Sequence, residues 1–584
     1  MPLPEYGGAR YSAWVPDTLD LADRASLAIH AIAGTTEPAN DYAQYFLVTL
    51  ASYPPTMIRH QPVGSDTAAY NPKMWEALIL DRLTCGNCDH GDMERSWADR
   101  LWNSLTTDNL STAVSSGRML ATATLYWLLT GDDAWKKACA RAVRDYRTIL
   151  VEHQTRGEMG RGWPATIFGW TLQGLSQYLR ATGDDAAYET ATRLARYLSD
   201  PRTGVLDEEG RLCARHGPRA LEHQTSKSIW DPQAGTWPDG SRMALHFHHN
   251  TNTVLALAEY ALATGDKEAA ARALRAYEFA RSTGSPITGY YPEYIGDVWP
   301  DDRPFRNTEG CCIADMVAIQ SRLTQTGAAD LFDDLDATLR NELATMQMLR
   351  GDWMYRVAER LISAQDTVVP RTERATEENA TSDRVPERNV GSFGGWTLPN
   401  DLWAGKGWPV FQHCCLGNCA RALYYGWESI LEHCQDTLHL HLLLNRASPW
   451  ADVNSHLPYQ GRVDVRMKAR LSLRVRLPVW VGEKEGVTVT VNGTATTHRR
   501  SGRYVELDAI PEGQTATLQF PITERTVQEK MGGELYSLGL RGSDIVWIEP
   551  RGIYYPLFER EALRNDRTRW VDKERFVADQ SVLW

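Results

Sequence analysis

The first two thirds of the chain repeat one pattern, in which an amphipathic helical segment ends in a turn and a second helical segment follows. The turn is Thr130-Gly131-Asp132 in one copy, Thr182-Gly183-Asp184 in the next and Thr264-Gly265-Asp266 in a third. Glycine is a preferred residue just past the end of a helix, so each copy reads as a helical hairpin. Such repeats form either an open solenoid or a closed α/α toroid, and the irregular spacing of the turns favours the toroid.

The last part of the chain changes from helical periodicity to strict alternation of apolar and polar residues. Residues 463–467 alternate in this way, and residues 487–491 alternate and lead into an Asn-Gly turn. This pattern is typical of antiparallel strands joined by hairpins. We therefore predict a multidomain protein with a helical catalytic domain over residues 1–434 and an accessory antiparallel β-sandwich over residues 435–584.

Composition and charge exclude several classes of function. Hydrophobic residues make up 43% of the chain and charged residues 23%, which is ordinary for a globular protein. The formal net charge of -12 argues against nucleic acid or an anionic membrane as a partner. The sequence contains no run of 18 apolar residues and does not begin with a secretory signal pattern. The ten cysteines are scattered and do not resemble a disulfide framework, so we expect a cytoplasmic protein.

Two cysteine clusters, about a hundred residues apart, carry the most specific chemical signal. The first is Glu309-Gly310-Cys311-Cys312, and the second is His413-Cys414-Cys415-Leu416-Gly417-Asn418-Cys419. A carboxylate and three thiols suit Zn²⁺, and two neighbouring cysteines can both turn toward one metal. The alternative is that these cysteines are small buried hydrophobic residues. A third group, Cys85-Gly86-Asn87-Cys88, has the CxxC spacing but lacks a second pair, so loop or buried thiols explain it better than a structural zinc.

The Glu-x-Cys and Cys-Cys-x-x-Asn motifs resemble the β-L-arabinofuranosidases of glycoside hydrolase families 127 and 146. The resemblance rests on Glu309-Gly310-Cys311 and on Cys414-Cys415-Leu416-Gly417-Asn418. It extends to Arg476-Leu477-Pro478-Val479-Trp480 in the alternating region. The familiar relatives have two prolines where this chain has Leu416-Gly417. The family fold is an (α/α)₆ barrel followed by β-sandwich modules, in agreement with the pattern of this sequence.

The resemblance implies a specific set of site residues. Zn²⁺ would be held by Glu309, Cys311, Cys414 and Cys415, and Cys414 would also be the nucleophile that attacks the anomeric carbon. The general acid/base of the family is a glutamate some sixteen residues before the zinc-binding glutamate, and Glu293 stands at that distance. Its aromatic neighbours would raise its pKa and so suit a proton donor.

Further residues are candidates for binding the sugar. His246-Phe247-His248-His249 begins a predicted helix, and relatives carry a histidine here that contacts the sugar. We expect His248 or His249 to bind substrate, with helix-start capping as the alternative. His413, Trp163 and Tyr291 are the other candidates, since each lies beside a chemical motif or in a tryptophan-rich loop. The stretch from Trp163 to Trp170 has no histidine where relatives usually place one, so the sugar recognised here is expected to differ.

The resemblance therefore implies a retaining, exo-acting glycoside hydrolase, a β-L-arabinofuranosidase or a related furanosidase, with a small carbohydrate or glycoconjugate as substrate. A homodimer is compatible with the sequence. Two alternatives remain at this point: a sugar epimerase or lyase on an α/α toroid, which would need no zinc, and a carbohydrate-binding protein with a structural zinc.

Overall fold

The computed structural model describes residues 2–59, 71–107, 117–155, 163–216, 244–295, 306–365, 375–376, 378–406, 408–482 and 486–584. The α-helices within these ranges are α1 (Leu21–Gly34), α2 (Asn71–Cys85), α3 (Gly91–Thr106), α4 (Gly117–Thr130), α5 (Asp133–Thr155), α6 (Trp163–Thr166), α7 (Phe168–Thr182), α8 (Asp185–Ser199), α9 (Phe247–Thr264), α10 (Lys267–Ser282), α11 (Gly310–Gln325), α12 (Phe332–Ala337), α13 (Asp352–Ser363), α14 (Val385–Arg388) and α15 (His413–Glu428). A π-helical segment, Thr338–Leu343, continues α12. No helix of the described residues is long and apolar enough to cross a lipid bilayer.

The strands are mostly short in the first three quarters of the chain and longer after it. They are β1 (Gly8–Pro16), β2 (Thr36–Glu37), β3 (Ala43–Gln44), β4 (Leu47–Thr49), β5 (Thr56–Ile58), β6 (Arg215–His216), β7 (Ala244–His246), β8 (Tyr294–Ile295), β9 (Thr308–Glu309), β10 (Ala380–Thr381), β11 (Trp396–Thr397), β12 (Phe411–Gln412), β13 (Leu431–Cys434), β14 (Thr437–Leu440), β15 (Arg446–Ala447), β16 (Ala451–Ser455), β17 (Arg462–Met467), β18 (Leu471–Arg476), β19 (Thr488–Val491), β20 (Thr494–Ala495), β21 (Arg499–Ser501), β22 (Tyr504–Ile510), β23 (Thr515–Gln519), β24 (Glu524–Met531), β25 (Glu534–Arg541), β26 (Asp544–Glu549) and β27 (Trp570–Ala578).

Six helices of the described chain close into an inner ring. Each packs on the next in the order α2, α4, α7, α9, α11 and α15, and α15 packs back on α2. A second helix lies outside each member of the ring: α1, α3, α5, α8, α10 and α12 pack against inner helices from the outer side. The predicted (α/α)₆ barrel is thus confirmed as the architecture of the helical region.

The Thr-Gly-Asp turns link inner helices to outer ones, as the repeats predict. Gly183 and Gly265 take the left-handed conformation, with φ of 68° and 74°, which lets each inner helix end without steric cost. The aspartate that follows caps the next helix, because an Asp184 side-chain oxygen accepts a hydrogen bond from the backbone N–H of Ala187 at 2.8 Å. Asp266 accepts in the same way from the N–H of Ala269 at 3.0 Å.

The region from β13 to β23 is a two-sheet sandwich, as predicted, and β24, β25 and β26 form a separate three-stranded sheet after it. One sheet has the strand order β13-β14-β18-β22-β21, and the other has the order β15-β16-β17-β23-β19-β20. The predicted Asn-Gly turn joins β19 to β20 with positive φ at both residues. One pair departs from the antiparallel expectation: β14 runs parallel to β18, because the chain crosses to the second sheet for β15 to β17 before it returns.

The first and last strands of the described chain pair with each other. β1 and β27 form an antiparallel two-stranded sheet whose register runs from Gly8 opposite Ala578 to Pro16 opposite Trp570. β1 therefore belongs to a sheet outside the helical barrel. The division of the chain into domains at residue 435 stays a prediction.

Buried ion pairs close the end of the barrel where the inner helices finish. Glu259 of α9 is fully buried and accepts from Arg322 of α11 at 2.9 Å and from Arg180 of α7 at 2.7 Å. Arg322 also pairs with Glu428 at the end of α15, at 3.2 Å. We call this group of four residues the floor network. Trp584 lies beside it, and its backbone N–H donates to Glu428 at 3.0 Å.

Candidate active site

Three inner helices begin directly after short strands, and the candidate site lies where these junctions meet. β7 precedes α9, β9 precedes α11, and β12 precedes α15. Each of these strands is held by another segment: β7 pairs with β8, β9 with β11, and β12 with β4. The pairs fix the positions of the helix N-termini, so the side chains at the start of the three helices converge.

The four predicted metal ligands lie together in the structure. The sulfur of Cys311 is 3.5 Å from that of Cys415 and 3.9 Å from that of Cys414, and the Cys414 and Cys415 sulfurs are 3.9 Å apart. The Glu309 carboxylate lies 3.7 Å from the Cys415 sulfur. All four residues are buried, and their ligand atoms form one group.

These separations fit a tetrahedral zinc site. With Zn–S bonds of about 2.3 Å and a Zn–O bond of about 2.0 Å, tetrahedral geometry sets the sulfurs about 3.8 Å apart and the oxygen about 3.5 Å from each sulfur. The observed sulfur separations of 3.5–3.9 Å bracket the first value. The donor set is also chemically suited to zinc, since thiolates buried without a cation are costly. The residues present therefore fit a zinc ion.

Glycines allow the two cysteine segments to approach each other. A Cβ on Gly310 would lie 3.0 Å from the Cys415 Cβ and 2.9 Å from the carbonyl oxygen of Gly394. A Cβ on Gly417 would lie 3.0 Å from the Cβ of Lys73 on α2. The Leu-Gly pair that replaces the prolines of the familiar relatives thus lets α15 pack closely on α2.

The three thiols of the cluster differ in their acidity. Hydrogen bonds donated by Cys311 and Cys415 lower the pKa of Cys414 to about 5. Burial raises the pKa of Cys311 and that of Cys415. Cys414 also lies in the first turn of α15, where the helix dipole favours a thiolate. Of the three, Cys414 is the sulfur that most readily carries the negative charge.

Glu293 lies beside the cluster, as its sequence position suggested. Its backbone accepts from the N–H of Phe247 at 2.8 Å and donates to the carbonyl of Asn307 at 2.9 Å, which fixes it between the starts of α9 and α11. The side chain is buried, and the indole of Trp396 lies next to it. Burial, and then the charge of Glu309, raise the pKa of Glu293 well above its usual value.

His246 lies between the two carboxylates, although its place in the sequence does not distinguish it from the neighbouring histidines. Its Nε2 lies 3.5 Å from Glu309 and 3.8 Å from Glu293. The residue ends β7 and is the N-cap of α9, and its Nδ1 accepts a hydrogen bond from the backbone N–H of His249 at 3.3 Å. The three histidines look alike in the sequence, and only the position of the strand-to-helix junction separates His246 from the other two.

The histidines predicted to bind sugar take different places. The Nδ1 of His248 is 2.8 Å from Asp315 of α11, so one of its two ring nitrogens already has a partner. The His249 ring packs against Trp170, with centroids 5.9 Å apart. His413 is buried at the start of α15, and burial lowers its pKa to about 3. Its two ring nitrogens have no hydrogen-bond partner among the described residues. Sugar binding by these residues stays a prediction.

The two aromatic candidates are less closely tied to the cluster. Tyr291 is fully buried and its ring stacks on Phe247 at 5.5 Å, so the structure shows it in a packing contact. Trp163 begins the short helix α6, and its side chain lies outside the described part of the structure. Their roles in substrate binding also stay predictions.

Comparisons with known proteins agree with this fold. Residues 444–522 match the family model "Beta-L-arabinofuranosidase, GH127 middle domain". This match covers the sandwich region and not the cysteine clusters. No curated protein matches the sequence at a significant level.

Solved structures match over most of the chain. A GH127 β-L-arabinofuranosidase from Geobacillus stearothermophilus T6 is similar with a TM-score of 0.52 and 14% sequence identity, over 91% of this chain and 80% of that one. A second GH127 β-arabinofuranosidase matches with a TM-score of 0.55 and 14% identity, over 91% of this chain and 85% of that one. At this identity the likeness shows the fold, and the family match is confined to residues 444–522.

Proposed function

We propose that the protein is a retaining, exo-acting glycoside hydrolase that cleaves β-L-arabinofuranosides or related furanosides. The observation that carries this proposal is the convergence of two carboxylates and three thiols at the starts of three inner helices. Glu293 and the cluster of Glu309, Cys311, Cys414 and Cys415 share one buried site, and His246 bridges them. The two similar solved structures are described as β-arabinofuranosidases, which supports the same substrate class.

The cysteines and Glu309 would hold Zn²⁺, and when bound the metal would keep its thiol ligands deprotonated at neutral pH. Zinc ligation and nucleophilic attack fall on the same residue, Cys414. The residue Cys414 is 6% exposed, whereas Cys311 and Cys415 are 0% exposed, so Cys414 is the least enclosed of the three.

The residues support a two-step displacement. In the first step the Cys414 sulfur forms a bond to the anomeric carbon while the bond to the leaving oxygen breaks, and Glu293 gives its proton to that oxygen. In the second step the Glu293 carboxylate takes a proton from water, the water oxygen bonds to the anomeric carbon, and the carbon–sulfur bond breaks. The raised pKa of Glu293, which follows from its burial, suits a group that starts this cycle protonated.

Covalent labelling tests the proposal directly. The protein is incubated with an arabinofuranosyl haloacetamide or a cyclophellitol-type furanoside, and intact-mass analysis, peptide mapping and zinc analysis follow. We expect a single adduct on Cys414 and about one zinc per chain. Cys139, a fully buried thiol of α5, is the internal control and should stay unlabelled.

The opposite results are equally informative. An adduct on another residue would refute Cys414 as the nucleophile. Zinc without an adduct or turnover of any aryl furanoside would favour a carbohydrate-binding protein with a structural metal. Full turnover after the metal has been removed would favour chemistry that needs no zinc, such as epimerisation or lyase activity.

A further inference from the structure

The inner wall of the barrel next to the candidate site holds a buried cation that no described carboxylate pairs with. Arg118 of α4 is 2% exposed, and its Nε and Nη1 have no hydrogen-bond partner among the described residues. No described carboxylate forms an ion pair with it. Its guanidinium carbon lies over the ring of Trp170, 4.6 Å from the ring centroid. A buried charge without a counter-charge is costly and needs an explanation.

Unpaired amides lie on the same wall. Gln173 follows Trp170 by three residues on α7 and therefore shares its face of the helix. Gln173 is 2% exposed, and neither its Oε1 nor its Nε2 has a partner among the described residues. The same holds for Gln177, one turn farther along. A cation and two amides that lack partners among the described residues indicate a wall that can bind a polar ligand.

A continuous series of side chains connects this wall to the reaction centre. Glu309 lies 3.5 Å from His246, whose ring centroid is 4.9 Å from that of His249. The ring of His249 is 5.9 Å from Trp170, which contacts Arg118. The wall is therefore next to the site and faces the same interior.

The backbone holds Arg118 in place. A Cβ on Gly174 of α7 would lie 1.9 Å from the carbonyl oxygen of Gly117, so the two helices touch through their backbones at this point. Arg118 follows Gly117 directly, and Trp170 stands one turn before Gly174. This close approach fixes the cation against the indole and limits its freedom to reach a carboxylate elsewhere. The position is thus preorganised for a ligand.

We propose that Arg118 and Gln173 form a subsite for an anionic substituent of the sugar, a carboxylate or a phosphate. The inference rests on the proposed glycosidase function, and it makes the preferred substrate an acidic glycoside and not a neutral arabinofuranoside. The guanidinium of Arg118 pairs with the anionic substituent, Gln173 binds neighbouring oxygens, and Trp170 offers an apolar face to the sugar ring. A guanidinium is suited to both carboxylate and phosphate, so the chemistry of the wall is the same for either.

Paired ligands that differ only in charge test the subsite by calorimetric titration. D-galacturonate is compared with D-galactose for the carboxylate, and D-ribose 5-phosphate with D-ribose for the phosphate. We expect at least one acid to bind tenfold or more tightly than its neutral partner, and Arg118→Gln to abolish that difference. Arg118→Lys, which keeps the charge, should retain part of it.

Thermal unfolding without ligand separates binding from a structural role. Because Arg118 has no counter-charge among the described residues, Arg118→Gln should leave the Tm unchanged or raise it, whereas a structural cation would lower the Tm when removed. Lys136→Gln is the matched control, since Lys136 also lies over an indole, 5.0 Å from Trp127, but is exposed. This control should leave the affinity for each acid unchanged.

Three results would overturn the subsite: neither acid binds better than its neutral partner, the preference survives in Arg118→Gln, or that variant loses thermal stability. Hydrolysis of a neutral aryl β-L-arabinofuranoside, measured alongside, tells the two proposals apart. Turnover of the neutral substrate, together with no preference for either acid in the titrations, would refute the subsite and keep the glycosidase. Binding of an acid through Arg118 without turnover of any glycoside would refute the glycosidase and keep the anion site.

Discussion

At the end of the barrel where the inner helices finish, Glu259 accepts from two arginines and every member of the floor network has a partner. At the end where the helices begin, Arg118 and His413 are equally buried but have side-chain nitrogens without partners in the described structure. The same inner helices, α7 and α9, contribute to both ends. The difference lies in the ion pairs: the buried charges of the floor network are neutralised within the fold, whereas no described carboxylate neutralises Arg118.

The largest expected effect is at the beginning of the helices. Cys414→Ala should reduce kcat on an aryl β-L-arabinofuranoside by about 10³-fold or more, since loss of a nucleophile removes the covalent step. The free energy of unfolding of the zinc-loaded protein should change by far less than the activation free energy that this loss of kcat represents. Steady-state kinetics and urea unfolding measure the two quantities. Cys139→Ala, at a buried thiol remote from the cluster, should keep full activity, and equal activity of both variants would refute the assignment.

The second effect concerns the floor network, where we expect the stability to fall and kcat to be kept. Glu259→Gln leaves Arg322 and Arg180 without their shared carboxylate, and breaking such a buried pair costs about 3–5 kcal/mol. Urea unfolding should show this loss, while kcat at a temperature where the variant is folded should stay within a few-fold of the original value. A selective loss of kcat with normal stability would mean that the two ends are not separate in function.

A third prediction concerns a buried carboxyl that belongs to neither end. Glu342 lies in the π-helical segment, its Oε1 has no partner among the described residues, and burial raises its pKa to about 8. Its folded-state pKa exceeds the unfolded value, so the stability it contributes is complete below about pH 4.5 and is lost as the pH rises through 8. Glu342→Gln should remove this slope, which amounts to about 2–3 kcal/mol between pH 6 and pH 9. Urea unfolding at pH 6 and pH 9 measures it, and Glu512→Gln, at an exposed site, should leave the slope unchanged.

The smallest expected effect concerns an exposed ion pair, which serves as the reference for the buried pairs. Arg147 and Glu189 form an ion pair of 2.8 Å on the outer helices, and both side chains are more than half exposed. Glu189→Gln should change the free energy of unfolding by less than about 1 kcal/mol, because water screens the pair. If urea unfolding of this variant showed a loss as large as that of Glu259→Gln, burial would not be the cause of the difference between floor and surface.

The parts of the fold that depend on local sequence could be predicted, and those that depend on distant pairing could not. Each Thr-Gly-Asp turn contains its own helix end and its own cap, so the hairpins follow from the residues alone. The parallel pairing of β14 with β18 depends on a crossover through the second sheet, which alternation does not reveal.

The same distinction holds at the site. The meeting of Glu309 with Cys414 and Cys415 was predicted because the donor set itself signals a shared metal. His246 was missed because its position depends on where β7 ends, and Trp396 was missed because β11 reaches Glu309 only through a strand pair between distant segments. Arg118 had no signal in the sequence, since an arginine near the start of a helix is ordinary.

The antiparallel pair of β1 and β27 has a consequence for synthesis of the chain. Its partners are more than 550 residues apart, as with Gly8 and Ala578. At about 5–20 residues per second, a ribosome would complete β27 roughly half a minute to two minutes after β1 has emerged. During that interval one edge of β1 is open to pairing with other chains, so slower elongation should increase aggregation of the nascent protein.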